Sequence, residues 1–169
     1  LAGEKISALA ITEPGGGSDV AALRTTAKRD GDEYVVNGSK TFITSGMRAD
    51  YYTVAVRTGE PGHRGISLLL IERDRPGFSR TSLDRKMGWW CSDTATLYFD
   101  DCRVPAENLL GEENAGSRLI MENFNHERIF MAAGCNGFAQ ACLDEVVDYA
   151  RQRQTFGQPL IEHQVIRHK

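Results

Sequence analysis

The sequence predicts an α+β fold: an antiparallel β-barrel or sandwich domain followed by one long helix of a truncated helical bundle. Three observations predict it. Between residues 6 and 99, short apolar runs rich in β-formers recur at regular spacing with turn residues between them, a rhythm that favours a barrel or sandwich over alternating βα units. From Asn114 to about Gln154 there is no proline, and apolar residues recur every three or four positions, the period of a helix with a buried stripe. The change of pattern follows Val104-Pro105, so residues 1–110 are assigned to a β-domain and 111–169 to the beginning of a helical one.

The strands follow in order. Ile6 to Thr12 is the first candidate and Arg24 to Arg29 the second. Tyr34 to Asn37 and Lys40 to Thr44 flank Asn37-Gly38, a dipeptide that favours a two-residue hairpin turn. Tyr51 to Val56 and Gly65 to Ile71 are separated by the polar segment 58–65, which reads as a loop. Arg75-Pro76-Gly77-Phe78 reads as a turn, and Thr94 to Phe99 as the last strand.

On the helix, Leu119, Ile120, Phe124, Ile129, Phe138, Ala141, Leu143, Val146 and Tyr149 can share one broad apolar stripe. Ala132, Ala133, Gly134 and Gly137 would admit a neighbouring helix closely. A helix of this length needs partners that the chain does not supply. Phe156-Gly157-Gln158-Pro159 ends it, and Ile161 to Lys169 reads as the start of the next. The chain begins at Leu1 without Met and stops inside helical sequence, so it reads as a piece of a longer protein.

Composition narrows the function classes. The 169 residues carry a net charge of −3 and a pI near 5.8, which disfavours a nucleic-acid partner. No run approaches the roughly 18 apolar residues of a membrane span. Cys91, Cys102, Cys135 and Cys142 form no CxxC pair and read as free, mostly buried thiols of a reducing compartment. His63, His126, His163 and His168 have no metal-ligand spacing, so no metal is expected.

Three segments carry chemistry. Ile11-Thr12-Glu13-Pro14-Gly15-Gly16-Gly17-Ser18-Asp19 sets a hydroxyl, a carboxylate and three glycines where a strand breaks into a loop. Glycine admits positive φ and lets backbone N–H groups approach a polar ligand. Phe42-Ile43-Thr44 follows, and Arg153-Gln154-Thr155-Phe156-Gly157 closes the long helix. By themselves a Gly-rich turn is usually just a turn, Phe42 could be a core residue, and Arg153 could neutralise a helix C-terminus. Together they resemble the flavin-binding segments of the acyl-CoA dehydrogenase family, along essentially the whole chain. Cys91-Ser92-Asp93-Thr94 and Phe99-Asp100-Asp101-Cys102-Arg103-Val104-Pro105 also resemble the family, as architecture rather than as a site.

The resemblance implies a middle β-domain plus the first part of the C-terminal helical domain, with FAD as cofactor. It implies that Leu9, Ile11, Thr12, Gly17 and Ser18 line the flavin, with Ser18 also near the substrate. Phe42, Ile43 and Thr44 stand where the family commonly has Trp-Ile-Thr: Phe keeps the aromatic face and loses the indole N–H. Arg153, Thr155, Phe156, His163 and Gln164 match segments that contact the FAD of a neighbouring subunit. Arginine suits a pyrophosphate because its planar fork makes bidentate charged bonds.

Asn125-His126-Glu127-Arg128 raises the question of the base. Removal of a proton α to a thioester needs a positioned carboxylate. Glu127, immediately before Arg128, resembles the arrangement of the long-chain and isovaleryl-CoA enzymes, in which the base comes from this helix. Asn125 and Arg128 then fall where the family contacts acyl-CoA. A mid-helix glutamate otherwise commonly pairs with a cation on its own helix. The expected activity is oxidation of an acyl-CoA to the trans-2-enoyl-CoA, with an electron-transfer flavoprotein as electron acceptor, in a homotetramer of the bacterial cytoplasm or mitochondrial matrix. The piece alone is expected to be nearly inactive. The alternatives are an acyl-CoA oxidase or flavin monooxygenase on the same scaffold, or a non-catalytic acyl-CoA- or flavin-binding module.

Overall fold

The computed structural model describes residues 2–169. They form two compact units, one running through Ile120 and the other Met121–Lys169.

The first unit is built on one seven-stranded sheet. Its strands are β1 (Ser7–Ala10), β2 (Thr26–Asp30), β3 (Glu33–Thr44), β4 (Tyr51–Arg57), β5 (Ile66–Glu72), β6 (Phe78–Ser82) and β7 (Thr94–Pro105). β3 and β7, twelve residues each, form the central antiparallel pair. β4 runs antiparallel to β5 along its whole length. It also pairs parallel with β1 over Ser7–Ala10 and with β2 at Thr26↔Arg57, so the sheet is mixed where antiparallel pairing was expected throughout. β6 lies on the outer side of β7, leaving an open half-barrel.

Period-two burial explains these strands. Tyr34 and Val36 on β3, Tyr52, Val54 and Val56 on β4, and Leu97 on β7 are fully buried. They join Leu69, Ile71 and Val104 in one apolar cluster. Each such side chain contributes about 1.5–3 kcal/mol on burial.

One expected turn is corrected, and one strand is added. Asn37-Gly38 is not a hairpin turn, since β3 runs straight through it. The real hairpin is one turn earlier, where Asp30 pairs with Glu33 across Gly31-Asp32. Gly31 has φ +63°, the glycine-first arrangement of a II′ turn. Asn37-Gly38 instead faces a bulge in β7, where the register jumps between Val36↔Cys102 and Gly38↔Phe99. β6 was not expected at all, because Phe78-Ser79-Arg80-Thr81-Ser82 has no apolar run. Its pairing to β7 holds it, with Phe78 packed between Tyr52 and Phe99 at ring distances of 4.8 and 5.3 Å.

The entry to the long helix α1 (Gly116–Gln152) is fastened to β5. The Leu110 N–H donates to Leu68 O at 2.9 Å, and the Asn114 N–H to Ser67 Oγ at 2.7 Å. A Cβ on Gly116 would lie 2.8 Å from the Ser67 carbonyl carbon, so only glycine fits this approach. Ile120 is buried, whereas Ile129, Phe138, Leu143, Val146 and Tyr149 of the expected stripe are exposed.

In the second unit, α1 is followed by a small hairpin of β8 (Gln154–Thr155) and β9 (Gln158–Pro159), then by the short helix α2 (Gln164–Arg167). All four cysteines are free, but only Cys102 is buried. The expectation of mostly buried thiols fails because Cys135 and Cys142 sit on exposed faces of α1 and Cys91 in an exposed loop.

Candidate functional site

The glycine-rich segment leaves β1 and folds back on itself. The Glu13 N–H donates to Gly16 O and the Gly16 N–H to Glu13 O, both at 3.1 Å. This closes a tight loop that leaves Gly15, Gly17 and Ser18 exposed. A Cβ on Gly17 would lie 3.3 Å from Thr12 Cγ2, so the loop returns directly across Thr12. Beside it lies a cavity of about 350 Å³ lined by Pro14, Gly15, Asp19, Arg24 and Ser39 among others.

The Thr12 segment and the Phe42 segment come together. The Thr41 N–H donates to Thr12 O at 2.8 Å. Beneath this contact, the fully buried Lys40 ammonium donates to Ile11 O at 3.1 Å and to Glu13 Oε1 at 2.8 Å. Glu13 also accepts from the Thr25 N–H at 2.9 Å and the Arg24 N–H at 2.7 Å. Burial pushes the Glu13 carboxyl up, but the Lys40 ammonium and the donors of Lys40 and Thr25 outweigh it and hold it below the usual range. Burial in turn pulls Lys40 down to about 8, against the attraction of Glu13. Neither residue was named as a site residue from the sequence. Their signal was a charged pair among apolar neighbours, legible only once the strands were paired.

A second irregularity in β3 presents Phe42. Lys40 pairs with Leu97 and Ile43 with Ala95, so β3 carries one extra residue here. The bulge turns Phe42 to φ +59° and leaves it 69% exposed. A non-glycine aromatic in this region is strained, and such strain clusters at functional sites. Thr44 is exposed on the same strand end, and Leu9 is exposed on β1. Ile11 and Ile43 differ: both side chains are buried, Ile43 inside the apolar cluster, so only their backbones can meet a ligand.

The loop that precedes β7, whose Cys91-Ser92-Asp93-Thr94 end the sequence marks as architecture, borders a second cavity. Lys86 threads this loop, donating to the Ser92 carbonyl, to Trp89 O at 3.0 Å and to Thr94 Oγ1 at 3.2 Å. The cavity, of about 550 Å³, is lined by Met47, Arg48, Arg85, Trp90 and Asp93 among others. Asp93 ties it to the end of β3, accepting from the Met47 N–H at 2.7 Å and pairing with Arg48 at 2.9 Å.

In the second unit, Glu127 is exposed on α1 and accepts from the Asn123 amide at 2.6 Å. It thus pairs with an amide rather than with an arginine of its own helix. Arg128 donates to Asn125 Oδ1 at 3.1 Å and lies over the Phe124 ring at 5.8 Å. The terminal hairpin gathers the other predicted residues around His163. Its Nε2 is 2.9 Å from Thr155 Oγ1, its Nδ1 is 3.3 Å from Gln158 Nε2, and its ring meets Phe156 edge-on at 6.2 Å. Phe156 and Gly157 have φ of +49° and +79°, the I′ geometry, and Phe156 is 99% exposed. Arg153 and Gln164 are exposed on either side of this hairpin in sequence.

The two units match two family models in sequence. Residues 8–102 match the acyl-CoA dehydrogenase middle domain, and residues 114–169 match the acyl-CoA dehydrogenase C-terminal domain. The chain belongs to the acyl-CoA dehydrogenase family. It is 47% identical over 162 residues to a cyclohexane-1-carbonyl-CoA dehydrogenase of Geobacter metallireducens, covering 96% of this chain and 43% of that protein. It is 46% identical over 167 residues to the mitochondrial isobutyryl-CoA dehydrogenase of Dictyostelium discoideum, covering 98% of this chain and 40% of that one. The crystal structure of a probable acyl-CoA dehydrogenase from Mycobacterium abscessus superposes with a TM-score of 0.96 at 57% identity, covering 99% of this chain and 44% of that one. The chain thus spans less than half the length of these acyl-CoA dehydrogenases.

The residues present fit the flavin cofactor that this family implies. An exposed aromatic face at Phe42, the hydroxyls of Thr12 and Thr44, and accessible backbone at Gly15 and Gly17 suit a flat ring with polar edges. Arg153 and the strained Phe156 turn suit a phosphate and its flanking groups.

Proposed function

We propose that the protein carrying this chain is an FAD-dependent acyl-CoA dehydrogenase that converts an acyl-CoA thioester into the trans-2-enoyl-CoA and passes electrons to an electron-transfer flavoprotein. The observation that carries the reading is Phe42, an aromatic side chain held out in strained backbone beside the Thr12 loop. FAD, when bound, supplies the acceptor for the hydride that leaves the β carbon. Thr12, Ser18 and Thr44 offer hydroxyls to the polar edges of the ring, and Leu9 and Phe42 give it apolar surface. Glu127 takes the α proton, and the Asn123 amide, donating to it at 2.6 Å, fixes the orientation of its carboxylate. Asn125 and Arg128, bonded to each other, serve the polar part of acyl-CoA. Arg153, Thr155, Phe156, His163 and Gln164 serve the FAD of a neighbouring subunit in a homotetramer.

The names of the two relatives bear on the substrate, since cyclohexane-1-carbonyl and isobutyryl groups are both branched at the α carbon. A small α-branched acyl group is therefore proposed ahead of a long straight one. The test is anaerobic mixing of the full-length protein with α-branched, straight short-chain and long-chain acyl-CoAs, following flavin bleaching in wild type and Glu127→Gln. Bleaching by wild type with none by a variant that still binds substrate supports both the reaction and the base. Equal bleaching by both removes Glu127 from the role of base. Rapid reoxidation by dioxygen would indicate an oxidase, and binding with no bleaching by any acyl-CoA a non-catalytic module.

A further inference from the structure

The buried Lys40–Glu13 pair lies below the two segments assigned to the flavin, with Lys40 fully enclosed and Glu13 reaching the wall of the cavity beside the glycine loop. Its four contacts share one pattern. Lys40 reaches the carbonyl of Ile11 and the carboxylate of Glu13, the residues on either side of Thr12. Glu13 reaches back to the N–H groups of Arg24 and Thr25, where the chain re-enters the sheet after the glycine loop. Lys40 is also the last residue of β3 in regular register before the bulge that turns Phe42 outward, and the next N–H, that of Thr41, holds Thr12 O. One ion pair thus fixes the height of Thr12, both ends of the glycine loop and the start of the Phe42 bulge.

We infer that Lys40 and Glu13 are positioning residues that set Thr12 and Phe42 against the flavin ring. The inference rests on the flavin reading above. An apolar strand with the same pattern would serve the core equally well, because a buried ion pair is commonly replaceable by apolar residues of similar volume without loss of stability. What apolar residues cannot do is hold the Ile11 carbonyl and the Arg24 and Thr25 N–H groups at one point. Position, more than packing, is the property that requires the pair.

The experiment separates the two. The full-length protein is prepared as wild type, Glu13→Gln, and the double variant Glu13→Leu with Lys40→Met. Each is measured for thermal midpoint as apoprotein, for FAD affinity, and for the resolved fine structure of the bound-flavin visible spectrum. In the double variant, which leaves the Ile11 carbonyl and the Arg24 and Thr25 N–H groups without these partners, the apoprotein still folds with a lowered midpoint, while FAD binds roughly ten- to a hundredfold more weakly, the scale of a lost charged hydrogen bond, and the flavin spectrum loses its fine structure. Glu13→Gln tests the same point with less disturbance, because its amide sets a donor against the Arg24 N–H while keeping side-chain volume. It shows the same spectral change if the pair positions the ring. A folded variant with wild-type FAD affinity and spectrum overturns the positioning role and leaves the flavin reading intact. Wild-type protein that takes up no FAD overturns the flavin reading, and this inference with it.

Discussion

The side-chain amide of Asn37 grips Asp101 across the central strand pair, accepting from the Asp101 N–H at 2.8 Å and donating to Asp101 Oδ1 at 2.9 Å. Asp101 is the extra residue of the β7 bulge and sits at φ +46°. The amide therefore satisfies a backbone donor that the ladder has abandoned. Asn37→Ala is expected to cost about 1 kcal/mol, since the bonds are solvent-exposed and neutral or single-charged. Gly38→Ala is expected to cost more, about 2–3 kcal/mol. Its Cβ would lie 2.7 Å from Thr25 Cα, which is backbone and cannot give way, and its φ is +141°. Urea unfolding of both variants checks the order; a Gly38→Ala protein as stable as wild type would contradict it.

The Glu13 carboxyl gives an acid signature. Lys40 and Thr25 hold it below its ordinary value of 4.5, against the raising effect of burial. A carboxylate depressed by folding stabilises the protein above its unfolded pKa, and that contribution is lost as pH falls through the folded value. The thermal midpoint of wild type should therefore fall below about pH 4.5 more steeply than that of Glu13→Gln, and the gap between them should narrow there. Parallel curves would mean that the pair contributes nothing to the pH dependence.

Cys102 offers a probe of global opening. It is buried in the apolar cluster, and burial pushes its thiol up to about 11, with Arg75 opposing. The thiolate is the reactive form, so this residue is doubly protected at pH 8. Cys91 is exposed. A thiol reagent with mass-spectrometric mapping should label Cys91 quickly and Cys102 only at the rate of unfolding. Labelling of both at one rate would show that β7 opens locally around Cys102.

What the residues reveal in advance depends on whether their signal is local. The strand spacing and the long helix follow from periodicity, and the structure has both; the helix ends at Gln152, ahead of the expected stop at Phe156-Gly157, which instead forms the tip of the β8–β9 hairpin. Asn37-Gly38 misleads because the same dipeptide serves a turn or a bulge, and only the cross-strand partner Asp101 decides between them. β6 is invisible because its stability comes from pairing and from Phe78 packing on Tyr52 and Phe99, not from its own pattern. In the site, Thr12, Ser18, Phe42 and Arg153 stand out through their motifs. The outward turn of Phe42 and the charged bolt under Thr12 arise from a register shift between strands distant in sequence, which no local window contains.

Phe42 makes the sharpest prediction, because stability and binding should move in opposite directions. Its backbone at φ +59° is unfavourable for any side chain and free for glycine. Its ring is mostly exposed, so little burial is lost on removing it. Relief of strain is worth about 1 kcal/mol or more, partly offset by the greater freedom glycine gains on unfolding. Phe42→Gly apoprotein is therefore expected to be at least as stable as wild type, while its FAD affinity falls because the aromatic face is gone. Phe42→Ala, which keeps the strain and loses the ring, should be no more stable than wild type and equally weak in binding. Calorimetry of the apoproteins and flavin titration read the two quantities separately. A Phe42→Gly protein that is clearly destabilised would show that the ring is a packing element and that the positive φ stores nothing for the site.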